Sequence, residues 1–326
     1  MSYPWGEQIF DHPDPIGLSY SSDGVYEHCK RKFEFYKFYQ RMQREDSFDG
    51  EVGKAMHHGF QTWLRHGCTP EAREIAYYEL CLAYPVLMDR GGDPADKKSL
   101  EACYGALEDI FNKGGLLLEY EIATVKCLDG IERPAIEVEF EIWIDGMFCD
   151  GRPFVYRGFI DAILFNRFTG EYRVIDLKTT GWSGDHLVGK YKFSSQCVIY
   201  GIVLQAILQQ PLNFTATYVN AVINILEPET TYVSFPKTDT DVSDWATGLY
   251  MRLKQIIEFK ERDFFPRTEH GCVTFKRPCE FLGICEVRDR EVIDAYLAEK
   301  YVQEPKRNPW VRLILPLGEI ANAAGN

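Results

Sequence analysis

The chain has 326 residues, enough to bury a sizeable core in one large domain or two. Its 45% hydrophobic and 26% charged content is ordinary for a globular protein, and no apolar run approaches a membrane span. A net charge of −13 argues against a protein that coats nucleic acid through lysine and arginine alone, but not against a site that borrows positive charge from metal ions.

No basic-then-apolar leader opens the chain, so a cytoplasmic location is expected. No internal repeat or low-complexity stretch is apparent. The ten cysteines of such a chain are not expected to form a disulfide framework, and most read as small hydrophobes.

Met1 to Pro15 reads as an irregular arm. The Ser19–Asp23 stretch is rich in capping residues, and a helix is expected from about Gly24 to Arg44. In it Lys30, Arg31, Lys32, Lys37, Arg41 and Arg44 interleave with Phe33, Phe35, Tyr36, Phe38 and Tyr39. Charge together with stacking is what a path for single-stranded nucleic acid needs. The same pattern also fits an amphipathic helix with its aromatics in the core and its charges in water. A second helix is expected to open at Gly53 and continue through Leu64, carrying His57 and His58. Thr69 to Lys113 reads as helical, broken around Asp89–Pro94, and would form a helical subdomain over residues 60–115.

Strands are expected next, over Leu117–Glu121 and Ile136–Ile144, with Glu137, Glu139 and Glu141 alternating on a polar side that faces solvent or lets one glutamate touch a metal site. Phe159–Phe165 and Tyr172–Leu177 follow as a hairpin around the turn-rich Asn166–Gly170. Asp161 and Asp176 lie among Ile, Leu and Val, and Lys178, two residues beyond Asp176, shares its face on an extended strand. Two carboxylates and an ammonium on adjacent strands are costly unless something offsets their charge. A buried ion pair would do so, and so would Mg²⁺ or Mn²⁺, which such oxygen ligands suit. Gln196 and Tyr200 stand at i and i+4 on a following helix. Ala216–Ile225 and Tyr232–Phe235 read as strands, and Asp241–Arg262 as a long helix. Beyond Val287 one further helix and an apolar tail are expected.

The series G-F-I-D-A-I, V-I-D-L-K-T-T and Q-C-V-I-Y resembles the core of the PD-(D/E)xK nuclease superfamily, specifically its RecB-like branch. That branch includes AddB-type exonucleases and CRISPR spacer-acquisition nucleases. The resemblance implies an α/β, restriction-endonuclease-like fold: a mixed central sheet flanked by helices, with a helical subdomain and a Cys-rich C-terminal segment. It places one nuclease domain over residues 1–326, the catalytic core over 116–235, and the last helix with the cysteine cluster over 240–290. It assigns metal binding to Asp161, Asp176 and the Leu177 carbonyl, catalysis to Lys178, and a flanking role to Gln196 and Tyr200. The branch's early G-x-x-x-H motif falls on Gly53 and His57, making His57 a further metal ligand, with His58 the weaker candidate. Ile160 stands where proline is usual, and the D-x-K carries Asp rather than Glu.

The L-S-Y-S and C-K-R-K-F stretches resemble the opening of such domains, where one cysteine joins three C-terminal ones around a [4Fe–4S] cluster. The matching positions are Cys29, Cys272, Cys279 and Cys285, with a longer gap after Cys272 than is usual. On ligand type alone four thiolates suit iron–sulfur or zinc equally, or hold no metal. The resemblance implies a Mg²⁺- or Mn²⁺-dependent deoxyribonuclease, an exonuclease acting on DNA with single-stranded ends. Its setting would be recombination, repair or degradation, in bacteriophages or alongside replication or CRISPR-type proteins. No P-loop is present, so no motor is expected. The competing reading is a catalytically silent module that binds DNA ends or serves assembly. The intact Asp161, Asp176 and Lys178 count against it.

Overall fold

The computed structural model describes residues 14–39, 41–43, 48–83, 98–117, 119–180, 189, 191–209, 214–223, 227–274, 277–303, 307, 309–318 and 320. Strand β1 (Ile16–Leu18) leads to helices α1 (Tyr20–His28) and α2 (Lys30–Lys37). Helices α3 (Phe48–Arg65), α4 (Pro70–Leu82) and α5 (Leu100–Lys113) follow. Next come strands β2 (Glu121–Ile122), β3 (Ile136–Cys149), β4 (Arg152–Phe165) and β5 (Tyr172–Thr180). Helix α6 (Ser195–Leu208) connects to β6 (Phe214–Val222) and β7 (Glu229–Lys237). The last elements are α7 (Asp239–Glu261), α8 (Arg290–Lys300) and β8 (Val311–Leu315).

The chain forms two compact units, one from residues 46–138 and 159–241, the other from 2–45, 139–158 and 242–326. Strands β3 and β4 each pass from one unit into the other. In the first unit the strand order is β7-β6-β5-β4, with β2 also on β4. β4 and β5 pair antiparallel, β5 and β6 parallel, and β6 and β7 antiparallel, so the sheet is mixed. A parallel pair needs a long crossover, and α6 supplies it between β5 and β6. The β4–β5 turn is built by Asn166, whose Oδ1 accepts from Phe168 N at 2.9 Å and Thr169 N at 3.1 Å. Gly170 then takes φ +73°, a conformation open to glycine at little cost.

Helices α3, α4 and α5 share one apolar core with this sheet. Met56, Phe60 and Trp63 of α3 and Leu107 and Ile110 of α5 meet Leu164, Ile175, Leu177 and Val219. The fit is close at Gly59, where a β-carbon would stand 2.9 Å from Leu107 Cδ2 and 3.2 Å from the Ala76 carbonyl. Thr69 and Ser99 cap α4 and α5 by accepting from Ala72 N and Ala102 N, each at 3.2 Å. Helix α6 is apolar on every side and buried from Cys197 to Leu204, the pattern of a helix covered all round.

In the second unit β8 pairs parallel with β3, and β1 pairs parallel with β4. Four expectations are corrected here. The helix expected from Gly24 to Arg44 breaks at Cys29, whose φ −159° and ψ 112° are extended. It ends at Lys37, and Arg41–Gln43 is a strand pairing with Tyr301–Gln303. The strand expected from Leu117 starts only at Glu121, after a short 3₁₀ turn over Gly114–Leu117. The apolar tail is β8, a strand whose partner lies some 170 positions earlier, which no local pattern reveals. Glu141, expected at the solvent, is buried, its two oxygens taken by Arg157 Nε and Arg312 Nε at 2.8 Å each. Arg312 belongs to β8, so the burial of Glu141 follows from the same unforeseen pairing.

Candidate active site

The β4–β5 ladder pairs Phe165 with Tyr172 and ends at Ala162 with Ile175. One further step in this register sets Asp161 opposite Asp176. Like charges directly opposite disfavour pairing, and the ladder stops there. The Leu177 N–H is given instead to Asp161 Oδ2, at 2.8 Å. Both carboxyls are buried, Asp161 at 8% and Asp176 at 3% exposure.

Two further elements bring groups to this pair. Helix α3 places His57 Nδ1 3.3 Å from Asp161 Oδ2, while His58 beside it is exposed. Gly53, one turn earlier, would meet Thr179 Oγ1 at 3.6 Å if it carried a β-carbon, which is ordinary contact. Lys178 Nζ stands 2.6 Å from Asp176 Oδ2. Gln196 Nε2 and the Tyr200 hydroxyl donate to Asp176 Oδ1 at 3.0 and 2.9 Å. The i, i+4 spacing on α6 delivers both donors to one oxygen. The structure thus gathers Asp161, Asp176, Lys178, His57, Gln196 and Tyr200 into one cluster within the first unit.

Burial pushes both carboxyls up, but the neighbours separate them. At Asp161 burial is outweighed by His57, Lys178 and the Leu177 N–H, which hold its pKa below the usual range. At Asp176 burial prevails over Lys178 and is reinforced by Asp161, so its pKa lies above that range. Burial works against charge on His57 and Lys178, yet Asp161 at the first and Asp176 at the second outweigh it, and both are raised. Burial raises the Tyr200 hydroxyl far above its ordinary value, and Asp176 adds to it, so the hydroxyl remains a donor.

This donor set suits a hard divalent cation: two carboxylates, an imidazole, and the buried Gln196 Oε1, an acceptor left without a hydrogen bond. Among the described residues no group of three or more His, Cys, Asp or Glu side chains is so arranged that it could hold a metal ion.

Tyr218 was not foreseen at the site. It lies beside Asp176 on β6, with Lys178 Nζ 6.0 Å from its ring centroid. Its strand was legible in the sequence, but the parallel β5–β6 register was not.

The four candidate cysteines lie in the second unit. Cys29 sits at the break between α1 and α2, where its side chain makes no capping hydrogen bond. A β-carbon at Gly271 would stand 2.7 Å from Cys29 Cβ, so the turn before Cys272 rests directly on Cys29. Cys279 N donates to Cys272 O at 2.8 Å. The Cys285 thiol is raised by burial and then by Cys29 and Cys272 nearby, and the Cys279 thiol is raised by burial, with Cys29 adding to it.

In the basic and aromatic segment Phe33 and Phe35 are core residues. Arg31 is 3% exposed, pairs with Glu34 and donates to the Val287 carbonyl at 2.8 Å, which commits it to the interior. Lys32 pairs with Glu280 at 3.0 Å, and Lys30 lies 4.8 Å from the Tyr26 ring centroid. Lys37 is half-buried. The Arg41 side chain and Arg44 lie outside the described residues.

No curated protein sequence matches this chain. Among solved structures, one from Eubacterium rectale, described provisionally as an exonuclease, aligns at 12% identity and TM-score 0.44, over 86% of this chain and 98% of its own. Another, the protein named SSO0001, aligns at 14% identity and TM-score 0.23, over 61% of this chain and 74% of its own. The sequence pattern of the PD-(D/E)XK nuclease superfamily matches residues 17–286. Proteins of this superfamily are nucleases that typically use divalent metals such as Mg²⁺, and DNA is the substrate the family implies. The mixed sheet flanked by helices agrees with its fold, and this chain belongs to the PD-(D/E)XK nuclease superfamily.

Proposed function

We propose that the protein is a Mg²⁺- or Mn²⁺-dependent deoxyribonuclease of the RecB-like branch, hydrolysing phosphodiester bonds from DNA ends. The observation that carries this is the hairpin register, which sets Asp161 and Asp176 opposite each other beside Lys178 and His57. An isolated ion pair needs neither the second carboxylate nor the Gln196–Tyr200 brace. His57, Asp161, Asp176 and the Leu177 carbonyl are the groups that would hold the ion. When bound, such an ion lowers the pKa of a coordinated water and offsets charge on a phosphoryl oxygen.

The chain's own residues supply the rest. Gln196 and Tyr200 fix Asp176 Oδ1, leaving its other oxygen to Lys178. Lys178 orients the attacking water and offsets negative charge developing on the phosphorus oxygens. Leu177 N–H holds Asp161 in place across from Asp176. Action from ends, and a setting in recombination, repair or degradation, are supported by the motif resemblance alone.

We assign Cys29, Cys272, Cys279 and Cys285 to a [4Fe–4S] cluster that ties the α1–α2 break to the C-terminal turns. The support is their convergence around Cys29 and the absence of disulfides among them. Bound there, the cluster would supply structural cross-linking.

Digestion of end-labelled single- and double-stranded DNA with Mg²⁺ or Mn²⁺, and with EDTA as control, tests the function. Metal-dependent release of mononucleotides or short fragments from ends is expected. Internal cuts on circular DNA at the same rate would overturn the exonuclease assignment, and no hydrolysis with either metal would overturn the activity.

A further inference from the structure

Just before α6, residues 191–194 are pinned from several sides. The Tyr191 ring stacks on Tyr218 with centroids 4.2 Å apart and planes 18° from parallel. Buried Lys237 donates from Nζ to the Lys192 carbonyl at 2.7 Å. Ser194 N closes a turn on the Tyr191 carbonyl at 3.1 Å, and Ser194 Oγ accepts from Gln196 N at 3.3 Å, capping α6. Out of this fixed backbone Phe193 projects with 81% of its surface exposed. Exposed Lys192 places Nζ 5.5 Å from its ring centroid.

A lone exposed aromatic is ordinary on a protein surface. Phe193 differs in its support and its neighbours. Tyr218, against which Tyr191 stacks, lies beside Asp176 in the sheet and carries Lys178 Nζ over its ring. Gln196, which holds Asp176, is three residues further on, so its Cα is at most ~11 Å from that of Phe193. The segment thus carries an exposed aromatic on a hydrogen-bonded backbone, with a cation beside it and three residues before a side chain that binds Asp176. A ring carried on a held backbone costs less ordering on accepting a planar ligand than one on a free loop. Aromatic rings with adjacent cations are how single strands are held without regard to sequence.

We propose that Phe193 is a stacking platform for an unpaired nucleotide of the substrate strand, with Lys192 meeting the neighbouring phosphate. This names the form of DNA the site takes and rests on the nuclease reading above. Phe193 is a positioning residue, not a catalytic one.

The test uses the full chain and a short oligothymidylate carrying a terminal 2-aminopurine, titrated in EDTA so that binding is read without turnover. Wild type should quench the 2-aminopurine. Phe193→Ala should lose the quench and bind about tenfold more weakly, the scale of one lost stacking contact. Phe193→Trp should keep both. Lys192→Ala should flatten the plot of log affinity against log salt by about 0.7. Phe168, 87% exposed at the β4–β5 turn, is the control, and Phe168→Ala should bind like wild type.

In cleavage assays Phe193→Ala should raise KM, with kcat at saturating DNA held within about twofold. Affinity unchanged in Phe193→Ala, or lost equally in Phe168→Ala, would overturn the platform. So would Phe193→Leu binding and quenching like wild type, because leucine keeps the apolar bulk without the ring. Failure of the wild type to cleave DNA with either metal would instead sink the nuclease reading, and the binding titration separates the two.

Discussion

Gly201→Ala probes the link between packing and the site most directly. Gly201 lies in the buried face of α6, and a β-carbon there would fall inside the envelope of the Phe214 ring, closer than real β-carbons come to any atom. Phe214 opens β6 and is itself buried, so the ring has little room to retreat. Relief requires α6 to move by roughly 1 Å or the ring to leave its rotamer, and overpacking of this kind costs about 1–3 kcal/mol. The better helix propensity of alanine returns at most about 1 kcal/mol. A net loss of about 1–2 kcal/mol is expected, a fall of several degrees in melting temperature.

The larger effect should be on activity. Gln196 and Tyr200 ride on the same helix and hold Asp176 Oδ1 at 3.0 and 2.9 Å, and a shift of ~1 Å takes both past bonding distance. Misplacement on this scale can cost about a hundredfold in rate. Thermal melting and end-labelled DNA cleavage would be measured on the same preparation. Gly201→Ala combined with Phe214→Leu, which gives the methyl space, should recover much of both. A fully active and stable Gly201→Ala, or a double variant no better than the single one, would refute this account of how α6 sets the site.

Three further outcomes are expected. Asp176→Asn, Asp161→Asn and Lys178→Ala should each lower cleavage by several orders of magnitude with normal melting, and a loss of less than about tenfold in single-turnover assays would remove that residue from the mechanism. Anaerobically purified protein should be brown, with broad absorbance near ~400 nm and about four iron and four sulfide per chain. Colourless protein free of iron and zinc, with all four thiols reactive, would contradict the cluster, whereas Cys285→Ser should bleach it and loosen the C-terminal turns. Burial raises the Asp23 carboxyl above its ordinary 3.8, against the pull of Arg252 and of Tyr156, which donates to it. The folded state therefore binds that proton more tightly, and the stability it contributes is full below the ordinary value and lost as pH rises through the raised one. Urea unfolding from pH 4 to 7 should show Asp23→Asn gaining steadily on wild type, and a gap constant with pH would exclude the shift.

Much of the first unit was legible in the sequence because its signals are local. The Asn166–Gly170 turn fixes the hairpin, apolar β-branched and aromatic runs of strand length flank it, and the spacing of Gln196 and Tyr200 puts both on one helical face. Asp161, Asp176 and Lys178 stood out because charged groups inside apolar strands require compensation. Chain order of these motifs was enough to name the family.

Tertiary structure decided what depends on partners distant in the chain. That Asp161 faces Asp176, and that the Leu177 amide serves Asp161, follows from a register no single strand specifies. The parallel β5–β6 pairing brought Tyr218 beside Asp176, and with it the ring on which Tyr191 stacks. Pairing of the tail with β3 buried Glu141 against Arg312, where alternation alone had put it in water. Arg31 reads in sequence like its basic neighbours, yet it is buried on Glu34 and Val287. Local spacing fixes which residues share a face, but which face is buried, and what stands across from it, is set by contacts between segments far apart in the chain.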